Sequence, residues 1–201
     1  MTTLADFRRS TGLVRPPANH GCPPVEIVPG LWTAHFHDIE TPEQLAALPA
    51  VTCVVNAATD KCLTGPGSYG PQIRVVTITL LDDPDALKKV DAMQEGEEKV
   101  RAREALPSYA PEECAGDAKK DFEFVNSIVS ETAAQGGATL IHCHASLSRS
   151  VAFILAYLMK TKALTALEAV EFMKPKWDAV WPNDKFVLQL IEYEQELKSS
   201  A

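Results

Sequence analysis

Apolar residues fall along this chain in two kinds of run. Short ones, bounded by Pro, Gly or Asn, lie near 25 to 28, 31 to 35, 51 to 55 and 73 to 80, and another, Thr139 to His142, leads up to Cys143. Their length and β-branched content predict strands. The run from Ile73 sets Ile73, Val75, Thr77 and Thr79 against Val76, Ile78 and Leu80, apolar enough on both sides to predict an interior strand. Longer runs repeat at three- and four-residue spacing: Phe122, Val125, Ile128, Val129 and Thr132; Val151 onward; and Phe186, Val187, Leu190 and Ile191. These predict helices with one face in the core.

Start and stop signals agree with that division. Thr41-Pro42-Glu43-Gln44 is a capping box with proline at the first helical position, ahead of Leu45 and Leu48. Thr165-Ala-Leu-Glu168 is a second box, Pro175 ends its helix, and Asn183 reads as the cap of a last one. Gly136-Gly137 stops the helix before Cys143. Between Asn56 and Gln72, the residues Gly65, Pro66, Gly67, Gly70 and Pro71 predict a connector, in which Tyr69 either lines a pocket or simply packs. Trp177 and Trp181 bracket a loop and are expected to pack. Residues 1 to 24, with Pro16-Pro17 and Pro23-Pro24 and no apolar period, read as a solvated tail or strap without a core of its own, its Arg8-Arg9 and Leu13-Val14 only faintly like a docking peptide. The order strand, helix, strand, strand, helix, strand, loop, helix gives an α/β domain.

The chemistry is concentrated between residues 139 and 150, Thr-Leu-Ile-His-Cys-His-Ala-Ser-Leu-Ser-Arg-Ser. A strand breaks into a short polar loop that opens directly into a helix, the layout of an anion site built from backbone N–H groups at a helix N-terminus. Cys143 starts the loop and Arg149 closes it. A thiol beside inward-pointing amides, a positive helix end and a guanidinium is favoured as thiolate, its nucleophilic form. The same donors, from His144, Ala145, Ser146, Leu147, Ser148 and Arg149, would hold phosphate oxygens, and Arg149 can grip two at once where lysine could not. The Ser150 hydroxyl is placed to donate to the sulfur when a phosphocysteine breaks down.

Composition narrows the setting. With 201 residues, 46% hydrophobic and 23% charged, the prior is one globular domain. A formal charge of −8 argues against nucleic acid or an anionic membrane as the main partner. The longest apolar run, Val151 to Met159, is nine residues, too short to span a bilayer. The start Met-Thr-Thr-Leu-Ala-Asp lacks the basic and apolar character of a signal, so the cytosol, or the nucleus, is the expected compartment. Five cysteines without framework spacing fit a reducing environment; Cys53 reads as core, while Cys22, Cys62 and Cys114 have no assigned role. His142 and His144 flank the cysteine at a spacing unlike a zinc motif, and neither metal nor cofactor is expected.

His142-Cys143-x5-Arg149-Ser150, set between strand and helix, resembles the signature of the protein tyrosine phosphatase superfamily, and more closely its dual-specificity branch. Glu26-Ile-Val-Pro-Gly-Leu-Trp32, Val51-Thr-Cys-Val-Val-Asn56, Lys174-Pro175, Pro182-Asn183 and Phe186-Val-Leu-Gln189-Leu190 are similar to other segments of that family. The likeness runs from about residue 25 to 197, and the domain is taken as 25 to 201. It implies a central mixed sheet of about five strands with helices on both faces, and hydrolysis of phosphotyrosine and phosphoserine/threonine in proteins through a phosphocysteine, with no cofactor. It also implies a general acid on a loop after a strand. Matching Ile78-Thr-Leu-Leu-Asp82 places that acid on Asp82, with Asp83 the rival and Asp85 a distant third.

Two departures stand out. Asp82 and Cys143 are 61 positions apart, more than the family's usual gap, and the surplus at about 86 to 117 is a charged stretch that reads as a substrate-facing lid or, the reading favoured, a flexible insert. Ser146 fills the slot where the family's Cys-x-x-Gly-x-x-Arg loop has glycine. Serine there motivates an alternative, a pseudophosphatase that binds phosphorylated partners without turnover. A phosphatase for a non-protein ester is a third reading, weakened because only His144 could supply charge inside the loop. Oligomeric state is not legible.

Overall fold

The computed structural model describes residues 2–17, 21–59, 61–78, 80, 94, 96 and 118–200. In chain order the elements are α1 (Leu4–Thr11), β1 (Val25–Val28), β2 (Leu31–Thr33), a 3₁₀ turn (Phe36–Asp38), α2 (Pro42–Ala46), β3 (Val51–Asn56), β4 (Arg74–Thr77), α3 (Lys119–Ala134), β5 (Ala138–His142), α4 (Arg149–Lys162), α5 (Ala166–Met173) and α6 (Asp184–Ser199).

The sheet runs β1-β2-β5-β3-β4, with β1 and β2 antiparallel and the other pairs parallel. It is the mixed five-stranded sheet of an α/β domain that the sequence implies. The β1–β2 hairpin turns at Pro29-Gly30, where Gly30 takes φ +81° and donates its N–H to Glu26 Oε1 at 2.8 Å. At the centre lies β5, buried along its whole length. Gly137 admits it there: a Cβ at that position would stand 2.1 Å from Thr52 Oγ1.

One strand differs from expectation. β4 pairs with β3 alone among the described residues, and its residues are exposed or half-buried, so it is an edge strand. The apolar pattern that suggested an interior strand comes from Ile78 and Leu80, which lie past the end of β4 and are buried. Their side chains fill the core without belonging to the sheet.

The main core packs α3, α4, α5 and α6 over one sheet face, with α4 at its centre and buried almost all round. A smaller cluster of Ile39, Leu45, Val51, Val54, Tyr69 and Leu140 covers the other face beneath α2. The capping boxes at Thr41 and Thr165 form as read, and Asn183 Oδ1 accepts from the Phe186 N–H at 2.9 Å. Tyr69 is packing, not pocket lining: its hydroxyl donates to the Ile39 carbonyl at 2.7 Å, and burial pushes its pKa up to about 12. Among the described residues no single helix is long and apolar enough to cross a membrane.

The solvated-tail expectation for residues 1 to 24 is corrected. Residues 4 to 11 form a helix, capped by a Thr3–Asp6 box and ended by Gly12 at φ +56°. Phe7 is fully buried and Leu13 nearly so. Arg8 donates to Asp184 Oδ1 and to the Pro182 carbonyl, each at 2.7 Å, and lies 4.5 Å from the centre of the Trp181 ring. A helix of two turns with one large apolar anchor leaves no period to detect, and its two arginines masked it further.

Candidate active site

Strand β5 delivers Cys143 to the C-terminal end of the sheet, and α4 begins six residues later at Arg149. The loop between them is shaped by what grips its carbonyl groups. Ala57 N–H donates to the His142 carbonyl at 2.9 Å, Phe36 N–H to that of His144 at 3.0 Å, and Trp181 N–H to that of Leu147 at 2.8 Å. Trp177 Nε1 donates to the Ser146 carbonyl at 2.9 Å, and His142 Nδ1 lies 3.1 Å from the Cys143 oxygen. In a trans peptide the carbonyl and the next N–H point in opposite directions, and the described residues contain no cis peptide. Carbonyls held from outside therefore turn the following amides, those of His144, Ala145, Leu147 and Ser148, toward the concavity. Such a ring of N–H groups at the head of α4 is an anion cradle.

Around it three of the residues singled out in the sequence come together. Cys143, Arg149 and Ser150 are all buried, and Ser150 Oγ stands 3.4 Å from Cys143 Sγ. Arg149 Nη1 donates to the Leu80 carbonyl at 3.1 Å, which ties the guanidinium to the chain beyond β4. Beneath the loop His142 is wholly buried; burial pushes its pKa down to about 4, and the Arg149 charge acts in the same direction. The ring is thus neutral at physiological pH, with a proton on Nδ1 to give to the Cys143 carbonyl.

Ser146 has φ +48°, in the left-handed region where glycine is at ease. The side chain is fully buried, and its hydroxyl donates to the Ala34 carbonyl at 2.6 Å while accepting the Cys143 N–H at 3.3 Å. The position carries backbone strain, and the hydroxyl bridges the loop to the segment after β2.

Sequence reasoning understated two parts of this site. The 177–183 segment, read as packing, is a scaffold for the loop: besides the two tryptophan contacts, Asn183 N–H donates to Ser148 Oγ at 3.1 Å. A pair of tryptophans around a loop was the available signal. His35 and His37, which lie beside His144, gave no signal, being over a hundred positions away in the chain. Asn56, matched to the family's strand asparagine, binds the carbonyls of Cys62 and Thr64 at 2.8 and 2.9 Å and so shapes the turn after β3. Asp82, Asp83 and Asp85, and the stretch at 86 to 117 save for residues 94 and 96, lie outside the described residues.

Residues 87–196 match the family model described as dual specificity phosphatase, catalytic domain. The chain is 45% identical over 67 residues to rat dual specificity protein phosphatase 5, a stretch that is 33% of this chain and 17% of that protein. With mouse dual specificity protein phosphatase 14 it shares 31% over 153 residues, 75% of this chain and 60% of the relative. The chain thus spans less than two thirds of either relative. Among solved structures, human DUSP28 superimposes with a TM-score of 0.64 at 25% identity, covering 92% of this chain and 99% of that one.

Proposed function

This chain belongs to the dual specificity phosphatase catalytic-domain family, and we propose that it hydrolyses phosphotyrosine and phosphoserine/threonine in proteins through a phosphocysteine. The observation that carries the reading is the contact of Ser150 Oγ with Cys143 Sγ at 3.4 Å inside a loop whose amides turn inward. A hydroxyl set on a sulfur stabilises it as thiolate, both as the attacking nucleophile and when it departs from phosphorus.

The steps follow from the groups present. Loop amides and Arg149 bind the phosphate dianion, and the Cys143 thiolate attacks phosphorus opposite the ester oxygen. The S–P bond forms, the P–O bond breaks, and Asp82 gives its proton to the leaving oxygen. Water then attacks the phosphocysteine, yielding a proton to the Asp82 carboxylate, and the sulfur leaves as thiolate, stabilised by the Ser150 hydroxyl. The phospho-binding alternative rested on Ser146, whose hydroxyl is engaged by Ala34 and the Cys143 amide; turnover is the reading kept.

Replacing Cys143 by serine tests this. Cys143→Ser is expected to lose turnover of an aryl phosphate while still binding phosphate, since the cradle remains; Arg149→Ala is expected to lose both. Hydrolysis persisting in Cys143→Ser would exclude the cysteine mechanism.

A further inference from the structure

Three histidines gather beside the nucleophile from two separate parts of the chain. His144 follows Cys143 in the loop, while His35 and His37 stand on the turn after β2. Their ring centres are 5.1 Å apart for His35 and His37, 5.9 Å for His35 and His144, and 5.7 Å for His37 and His144. The hydrogen bond from Phe36 N–H to the His144 carbonyl, 3.0 Å, clips the two segments together. His37 is exposed and the other two are half-buried, so a bound substrate can reach all three.

His35 and His37 stack and His144 meets both edge-on, and three imidazoles so gathered need a reason beyond packing. Among the described residues no group of three His, Cys, Asp or Glu side chains is placed to hold a metal ion. What the cluster offers is protons. Burial holds the proton affinity of His144 below the usual histidine value, and the positive charges of His35, His37, Lys61 and Arg149 lower it further. An anion arriving on the cluster offsets that penalty and favours the protonated form of His144. The acidic groups of the same turn are Asp38 and Glu40, the latter with Oε2 at 3.4 Å from His37 Nδ1. Glu40 competes with an incoming anion for His37 and sets a threshold on binding. In a chain of net charge −8, a protonatable patch next to the phosphate cradle is a local exception.

We propose that His35, His37 and His144 form an anion subsite beside Cys143 that selects phosphate esters bearing a second negative group near the scissile phosphate. This rests on the phosphatase reading above. The second group is a carboxylate or another phosphate, and the rings recognise the charge common to both.

The test compares phosphotyrosine peptides that differ at one neighbouring position, glutamate, phosphoserine or glutamine. At about pH 6 the glutamate and phosphoserine peptides are expected to exceed the glutamine peptide in kcat/KM by about fivefold or more, and at about pH 8 the glutamate advantage is expected to vanish. Glutamate does not titrate in that interval, so its arm reports the rings, and a preference seen only with phosphoserine would overturn carboxylate recognition. In His35→Asn/His37→Asn the preference is expected to be lost at both pH values, the ratio to the glutamine peptide measured on the same variant falling to about one. Glu40→Gln is expected to raise it. A preference independent of pH, or intact in the double variant, would overturn the subsite. If no peptide is turned over at all, the phosphatase reading fails instead, and the same comparison made by peptide binding to the Cys143→Ser protein still decides the subsite.

Discussion

Arg149 Nη1 donates to the Leu80 carbonyl across 3.1 Å, and the two residues are 3% and 1% exposed. The side chain proposed to grip phosphate is therefore fastened to the backbone two positions before Asp82, the acid proposed above. Asp82→Asn is expected to cost on the order of 10²-fold in kcat on alkyl phosphates and much less on activated aryl esters. Asp83→Asn is expected to change little. Reversed effects would move the acid by one residue, and two silent variants would transfer it to Asp85 or to the 86–117 stretch.

Ser146 sets strain against hydrogen bonding. Ser146→Ala keeps the left-handed backbone and forfeits both hydroxyl contacts, and is expected to lower kcat/KM by up to about tenfold. Ser146→Gly also loses them but relieves a strain of about 1 kcal/mol, and is expected to match or exceed wild type. Kinetics of the two variants side by side check the ordering; an alanine variant as active as wild type would deny the hydroxyl a role.

The N-terminal helix reaches the site at second hand. Arg8 holds Trp181, Pro182 and Asp184, and the same segment holds Leu147 and Ser148. Arg8 is partly exposed and Asp184 largely so, so the ion pair is screened and the loss in stability from Arg8→Ala is expected to stay near about 1 kcal/mol. A rise in KM of a few-fold with little change in kcat is the expected signature of a loosened phosphate loop. Unchanged KM would confine Arg8 to a structural role.

His142 gives the fold an acid limit. Burial holds its pKa in the folded protein down to about 4, against 6.5 for an exposed histidine, so protons bind the unfolded chain more readily. The stabilisation is complete above pH 6.5 and fades as pH falls toward about 4, by up to about 3 kcal/mol. Urea midpoints measured across that interval are expected to fall for wild type and to fall less for His142→Asn, which has no proton to take up.

Local signals made most of this fold legible. Capping residues at Thr41, Thr165 and Asn183 marked helix starts because each works within one turn of chain. Cys143, Arg149 and Ser150 could be placed because strand, loop and helix are contiguous. What escaped notice depends on distant partners. Arg8 looks solvated until Asp184 and Trp181 are folded against it, and Ile78 and Leu80 look like strand until the sheet is seen to end at Thr77. The histidine cluster joins positions that only the parallel pairing of β2 with β5 brings together.

The outward anchoring of the loop carbonyls has an entropic consequence. Confining a residue's backbone costs about 1–2 kcal/mol, and a loop that ordered only on meeting its ligand would subtract that from affinity, residue by residue. Here the donors come from Phe36, Ala57, Trp177 and Trp181, all parts of the folded body. The loop's disorder is thus surrendered when the chain folds, and phosphate meets a cavity that already has its shape.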